Sequence, residues 1–122
     1  MKFSMFGIAC LLSLGLQALE YEVQFENDQV CVSRVKIMPK EEIGLHRDVY
    51  PQVVIALQGG IITRLEADKR VPVEFPTAVA VFREVDPPNE LHKSVNEGSD
   101  PVEIITIQLK SNDVVVRSPE LR

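Results

Sequence analysis

The sequence has no tryptophan, two cysteines and few aromatics, and its 13 Lys and Arg are outnumbered by 18 Asp and Glu. Each shortage excludes something. No stretch gathers Lys and Arg into a patch, so a phosphate-backbone footprint is missing and nucleic acid is not an expected partner. Six Gly and eight Pro are too few and too scattered for a collagen-like or low-complexity chain. There is no phosphate-cradling G-x-x-x-x-G-K, no G-x-G-x-x-G, no G-x-S-x-G elbow and no C-x-x-C pair. Only Cys31 lies beyond the first 18 residues, which rules out soft thiolate coordination of a metal there. Between Val30 and Val32 it reads as a small buried hydrophobe. At 122 residues the chain has room for one domain.

The amino-terminal segment is a different material. Met1 and Lys2 make a short positive start, Phe3 to Leu19 carries no charge, and Phe6 to Leu16 is continuously apolar or small. Ala18 offers a small residue for cleavage, and charge returns at Glu20. This is the three-part layout of a secretory signal. The division expected is 1–18 as a cleaved signal peptide and 19–122 as the folded domain, periplasmic or secreted. A transmembrane anchor is the rival, but the uncharged run is at the short limit for a span and no positive cluster follows it. Lipid attachment at Cys10 would need a branched apolar residue where Gly7 stands. No stable membrane span is expected after cleavage. The processed chain would hold one cysteine and no internal disulfide, so its core must supply the stability.

From residue 20 the pattern has period two. Glu20 to Glu26 alternates strictly, Asn27-Asp28 turns the chain, and Val30 to Met38 forms a second strand. Gln52 to Leu57 is an apolar run closed by Gly59-Gly60, glycines that suggest the positive φ of a tight hairpin. Strands are expected at Ile61 to Glu66, Val71 to Phe75, Ala78 to Glu84, Leu91 to Val95 and Pro101 to Leu109. Val114-Val115-Val116 suggests an edge or partner-pairing segment. No apolar set recurs at helical spacing over three turns. Eight or nine short strands with turn chemistry between them define an all-β chain, an antiparallel sandwich or small barrel.

Two segments carry the candidate chemistry. Gly44-Leu45-His46-Arg47-Asp48-Val49-Tyr50-Pro51-Gln52 runs on to Gly59-Gly60, and Pro87-Pro88-Asn89-Glu90-Leu91-His92-Lys93-Ser94-Val95-Asn96 follows. They resemble the two motifs of the cupin superfamily, G-x5-H-x-H-x3,4-E-x6-G and G-x5-P-x-G-x2-H-x3-N. The resemblance spans most of the chain after the leader and is closest to small single-domain bacterial cupins. It implies a small antiparallel double-stranded β-helix barrel of the jelly-roll kind. It also implies a mononuclear metal site, with His46 on the first histidine, Asp48 in place of the second, Gln52 in place of the glutamate and His92 on the second-motif histidine. Pro87 and Asn96 match, Asn89 replaces a glycine, and Lys40 stands where the first motif opens with glycine.

The spacing has its own physical sense. Residues two apart on a strand point the same way, so His46 and Asp48 share a face. Gln52 shares that parity if the strand stays regular through Pro51, and His92 must come from a neighbouring strand. Two imidazoles and a carboxylate suit Fe(II), Mn(II), Ni(II), Cu(II) or Zn(II). The competing state is a metal-free barrel with a polar pocket built of the same side chains. Asn96 reads as structural, Tyr50-Pro51 as a surface turn, and Glu41-Glu42 and Glu66 to Arg70 as solvated charge.

Three function classes remain open. One is a metal-dependent oxygenase or isomerase acting on a small molecule. Another is a non-catalytic module that binds a small molecule or peptide. The third is an interaction protein working through sheet edges. No acid, base or nucleophile separate from the candidate ligands stands out. A homodimer is expected, through strands such as Tyr21-Val23-Phe25.

Overall fold

The computed structural model describes residues 19–110; the leader, residues 1–18, and the tail, residues 111–122 with the Val114-Val115-Val116 segment, lie outside the described residues. Nine strands follow in order: β1 (Glu20–Glu26), β2 (Val30–Ile37), β3 (Glu42–His46), β4 (Gln52–Gln58), β5 (Gly60–Glu66), β6 (Lys69–Phe75), β7 (Ala80–Arg83), β8 (His92–Val95) and β9 (Val102–Leu109). They form a five-stranded sheet ordered β1-β2-β9-β4-β7 and a four-stranded sheet ordered β3-β8-β5-β6. Every strand pair is antiparallel. The described residues contain no helix.

Alternation along each strand sends one set of side chains between the sheets. On the five-stranded sheet the inward rows run Arg83–Gln52–Gln108, then Val81–Val54–Thr106, then Ala56–Ile104–Val35. On the facing sheet His46 pairs with His92, Arg64 with Ser94, Ile62 with Val73 and Gly60 with Phe75. Polar side chains therefore gather at one end of the space between the sheets. The other end is the core, built of Val35, Ile37, Ile43, Val54, Ala56, Ile62, Phe75, Val102 and Ile104. A site at the polar end is thus floored by close-packed apolar groups.

Several local expectations are corrected. Gly59 and Gly60 do not make a tight hairpin within one sheet, because β4 and β5 belong to different sheets. No described glycine has positive φ. The glycines are needed for close approach: a Cβ on Gly59 would lie 2.2 Å from the Phe75 carbonyl oxygen, and one on Gly60 2.8 Å from Val102 Cγ2. Positive φ falls instead at Lys40 (75°), Ala67 (47°), Ala78 (65°) and Asn89 (69°). Lys40 and Asn89 are the positions where the cupin motifs carry glycine, so the backbone keeps a shape whose usual residue is gone. The short β3, interrupted by Gly44, had no clear alternation to reveal it. Glu66 is not solvated charge, since its carboxylate pairs with Arg64.

Cys31 is fully buried in β2, as expected of a small hydrophobe there. Asn96, 1% exposed, is structural as expected. Its amide Nδ2 donates to the Ile37 and Asp100 carbonyls at 2.9 Å each, and its Oδ1 accepts from the Gly98 amide at 2.9 Å.

Candidate metal centre

The site begins with a register shift. β3 and β8 pair through Ile43 and Ser94, slip, and pair again through His46 and His92. The two imidazoles become cross-strand neighbours with ring centroids 4.3 Å apart and planes tilted by 56°. Both are buried, His46 at 8% exposure and His92 at 2%.

Asp48 lies just past the end of β3, in a segment tied to the loop before β8. The Asp48 amide donates to Asp86 Oδ2 at 2.7 Å, and the Asp86 amide donates to the Asp48 carbonyl at 2.9 Å. Arg47 fastens the same loop by donating to the Asp86 and Pro87 carbonyls, both at 2.9 Å. The Asp48 carboxylate then reaches both rings, with Oδ1 3.5 Å from His46 Nε2 and Oδ2 3.8 Å from His92 Nε2. One donor atom from each of His46, Asp48 and His92 lies within 4.8 Å of the others, close enough to hold one metal ion. The donor set fits a divalent transition metal: two imidazoles and one carboxylate leave coordination positions open.

Hydrogen bonding and charge orient these groups. His46 Nδ1 lies 2.7 Å from the Gly44 carbonyl, so in the neutral ring Nδ1 donates and Nε2 turns its lone pair toward the site. Burial alone would lower the His46 pKa. The Asp48 carboxylate, the Gly44 carbonyl and the charge of Asp86 outweigh it and hold the pKa above the ordinary value. Asp48 is the counterpart: burial pushes it up, but His46, His92 and Arg64 hold it below the usual carboxylate value. His92 is held down by burial, then by His46 and Arg64, against the pull of Asp48 and Asp86. The site therefore carries one imidazole that favours its proton and one that sheds it.

The structure brings His46, Asp48 and His92 together, with His92 coming from the neighbouring strand β8. The parity argument for Gln52 is corrected. Gln52 begins β4 in the opposite sheet, separated from β3 by the irregular segment around Pro51, and lines the same cavity from across the barrel.

Two residues were missed, Asp86 and Arg64. Arg64 Nη2 donates to Asp86 Oδ1 at 2.7 Å, its Nε pairs with Glu66, and its Nη1 lies 3.3 Å from His92 Nε2. Asp86 Oδ2 is 3.3 Å from His92 Nδ1, within ion-pair reach but misaligned for a hydrogen bond, so Nδ1 is buried with no such partner. Their only sequence signals were faint. Arg64 has the same parity as the inward Ile62, and Asp86 directly precedes the second motif's Pro87. The cavity in front of these groups is about 110 Å³ and has an apolar floor that includes Val54, Ile62, Phe75 and Ile104.

No protein-family model matches the chain, and no curated protein does. Solved structures match clearly. A cupin domain from Bordetella pertussis aligns with a TM-score of 0.69 at 21% identity, covering 80% of this chain and all of that one. An RmlC-like cupin with a double-stranded β-helix fold from Methanocaldococcus jannaschii gives a TM-score of 0.59 at 14% identity, covering 81% of this chain and 88% of that one. A predicted oxalate decarboxylase from Thermotoga maritima gives 0.54 at 20% identity, covering 75% and 79%. The class is a small antiparallel double-stranded β-helix barrel. The chain has the cupin fold, as its two motifs implied.

Proposed function

We propose that this protein is an exported cupin barrel in which His46, Asp48 and His92 hold a divalent transition metal beside a small-molecule pocket, as in an oxygenase or isomerase. The observation that supports it is the convergence of three donor atoms within 4.8 Å at the polar end of a cavity. A bound ion would supply Lewis acidity and open positions for substrate or dioxygen. The chain's own residues do the rest. Gly44 sets the His46 tautomer, Asp86 and Arg47 hold the Asp48 segment, and the apolar floor excludes water. Gln52 faces the group from the opposite sheet as a neutral oxygen donor. The presence of a predicted oxalate decarboxylase and a polyketide cyclase among the fold relatives supports an enzymatic role.

One observation favours a second reading, a metal-free binding pocket. Arg64 Nη1 already brings a cation within 3.3 Å of His92 Nε2, the atom that would face a metal. Metal analysis of protein purified from the native cell separates the two. The metal reading expects close to one equivalent of Fe, Mn, Ni, Cu or Zn and a melting temperature that rises when metal is returned after chelation. No bound metal and no thermal response to any of the five ions would establish the metal-free pocket. N-terminal sequencing of the same sample tests export, with a start near Leu19 expected and an intact Met1 in the cytoplasmic fraction overturning it.

A further inference from the structure

We propose that Arg83, Gln52 and Gln108 form a head-group site for a small apolar monocarboxylate. The assignment names a ligand class for the pocket described above and rests on that pocket being the functional site. The three residues occupy one register row across β7, β4 and β9, at the polar end of the inward face. All three line the cavity. Among the described residues none of these side chains has a hydrogen-bond or ion-pair partner. Gln108 is 8% exposed and lines the cavity, so its amide is available to a group bound there.

Arg83 supplies the charge. It follows Val81 at the inward spacing of the edge strand β7 and is half-buried. The cavity's other guanidinium, Arg64, is already neutralised by Asp86 and Glu66. Arg83 is the cavity guanidinium without a carboxylate partner, and its single charge suits a monoanion. A planar fork and two neutral amides suit the two oxygens of a carboxylate. Below this row lie Val54, Ile62, Phe75 and Ile104, which take an apolar body. The cavity, about 110 Å³, is several times what one water occupies on that measure, roughly 10–15 Å³. A short branched or single-ring acid fills it.

The test uses the chelated full-length protein with benzoate, its neutral isostere benzamide, and phenyl phosphate, followed by calorimetry and thermal shift. Benzoate should bind at least tenfold more tightly than benzamide and than phenyl phosphate. Arg83→Gln should remove that preference, and Arg83→Lys, which keeps charge without the fork, should retain part of it. Gln108→Leu should weaken benzoate binding without altering metal content. Equal binding of benzoate and benzamide, or an Arg83→Gln protein as tight as wild type, overturns the proposal. Tighter binding of phenyl phosphate overturns the carboxylate assignment. Benzoate that binds only when metal is present and ignores Arg83→Gln also overturns it, while leaving the metal reading standing. Benzoate binding through Arg83 in a protein that never takes up metal would leave the proposal standing and remove the metal reading.

Discussion

Asp48 and Asp86 hold each other by two hydrogen bonds in opposite senses, the amide of Asp48 to the Asp86 carboxylate and the amide of Asp86 to the Asp48 carbonyl. Two acidic residues are thereby kept side by side, with Arg64 taking up the Asp86 charge from one side. Asp86→Ala removes the acceptor of the Asp48 amide and leaves the Arg64 guanidinium, 13% exposed, with less than its full complement. Breaking such a buried pair costs about 3–5 kcal/mol. Urea unfolding should show a loss of that order, and a loss below about 1 kcal/mol would mean that Asp86 does not organise the site.

Metal affinity should depend on His92 and respond to the two motif substitutions. His92→Ala removes one of two imidazoles and should abolish both bound metal and the metal-dependent rise in melting temperature. Asp48→His restores the more usual ligand set and should tighten binding, as should Gln52→Glu by adding negative charge beside the cation. Gln52→Glu carries a second consequence, since Gln52 and Arg83 are directly opposed across β4 and β7. It should neutralise Arg83 and weaken benzoate binding while strengthening metal binding. Dialysis against each ion and benzoate calorimetry on the same variant check both signs.

The pH dependence of the chelated protein follows from the two histidines. His46 is raised above its ordinary 6.5, so its contribution to stability is complete below that value and is lost as pH rises through the raised one. His92 is lowered from 6.5, so its contribution is present above that value and is lost as pH falls. Asp48, lowered from 3.8, adds stability that persists until pH falls through its depressed value. Melting temperatures across pH should therefore peak between the two histidine transitions. His46→Gln should erase the alkaline-side loss and His92→Gln the acid-side loss nearest neutrality. Profiles unchanged by either variant would contradict the assignment.

Lys40 and Asn89 sit at positive φ without glycine's freedom. A left-handed L residue costs about 1–2 kcal/mol, less for Asn, and the added unfolded-state freedom of glycine offsets part of any gain. Lys40→Gly should stabilise the fold by up to about 1 kcal/mol and Asn89→Gly by less. Denaturation midpoints at unchanged slope measure this, and a Lys40→Gly protein less stable than wild type would show the strain is relieved elsewhere.

The outward side of the five-stranded sheet carries the apolar row Phe25–Val32–Ile107–Val53–Phe82. Phe25 and Phe82 at its ends are 54% and 52% exposed. A second copy covering this face would give the expected homodimer. Phe82→Glu should shift the species in light scattering from dimer to monomer at tens of micromolar, a range of roughly the strength of weak dimers. A monomeric wild type in that range counts against a dimer.

The sequence by itself determined the all-β class and most strand positions, and it put His46 and His92 forward as candidates from different strands; their cross-strand pairing came from the register shift between β3 and β8. Alternation is a local property and survives without knowledge of which strands meet, and the two histidines sit in recognisable motifs. It was misleading at Gly59-Gly60, because a tight turn and a close approach both ask for glycine, and only the crossing between sheets showed which applies. It could not place Gln52, whose strand lies in the opposite sheet from His46. Nor could it find the Arg64–Asp86 pair or the Arg83–Gln52–Gln108 row. Those residues are 22 positions apart in the first case and drawn from three strands in the second. Their meaning lies in which neighbours they gain or lack, and strand order and register decide that.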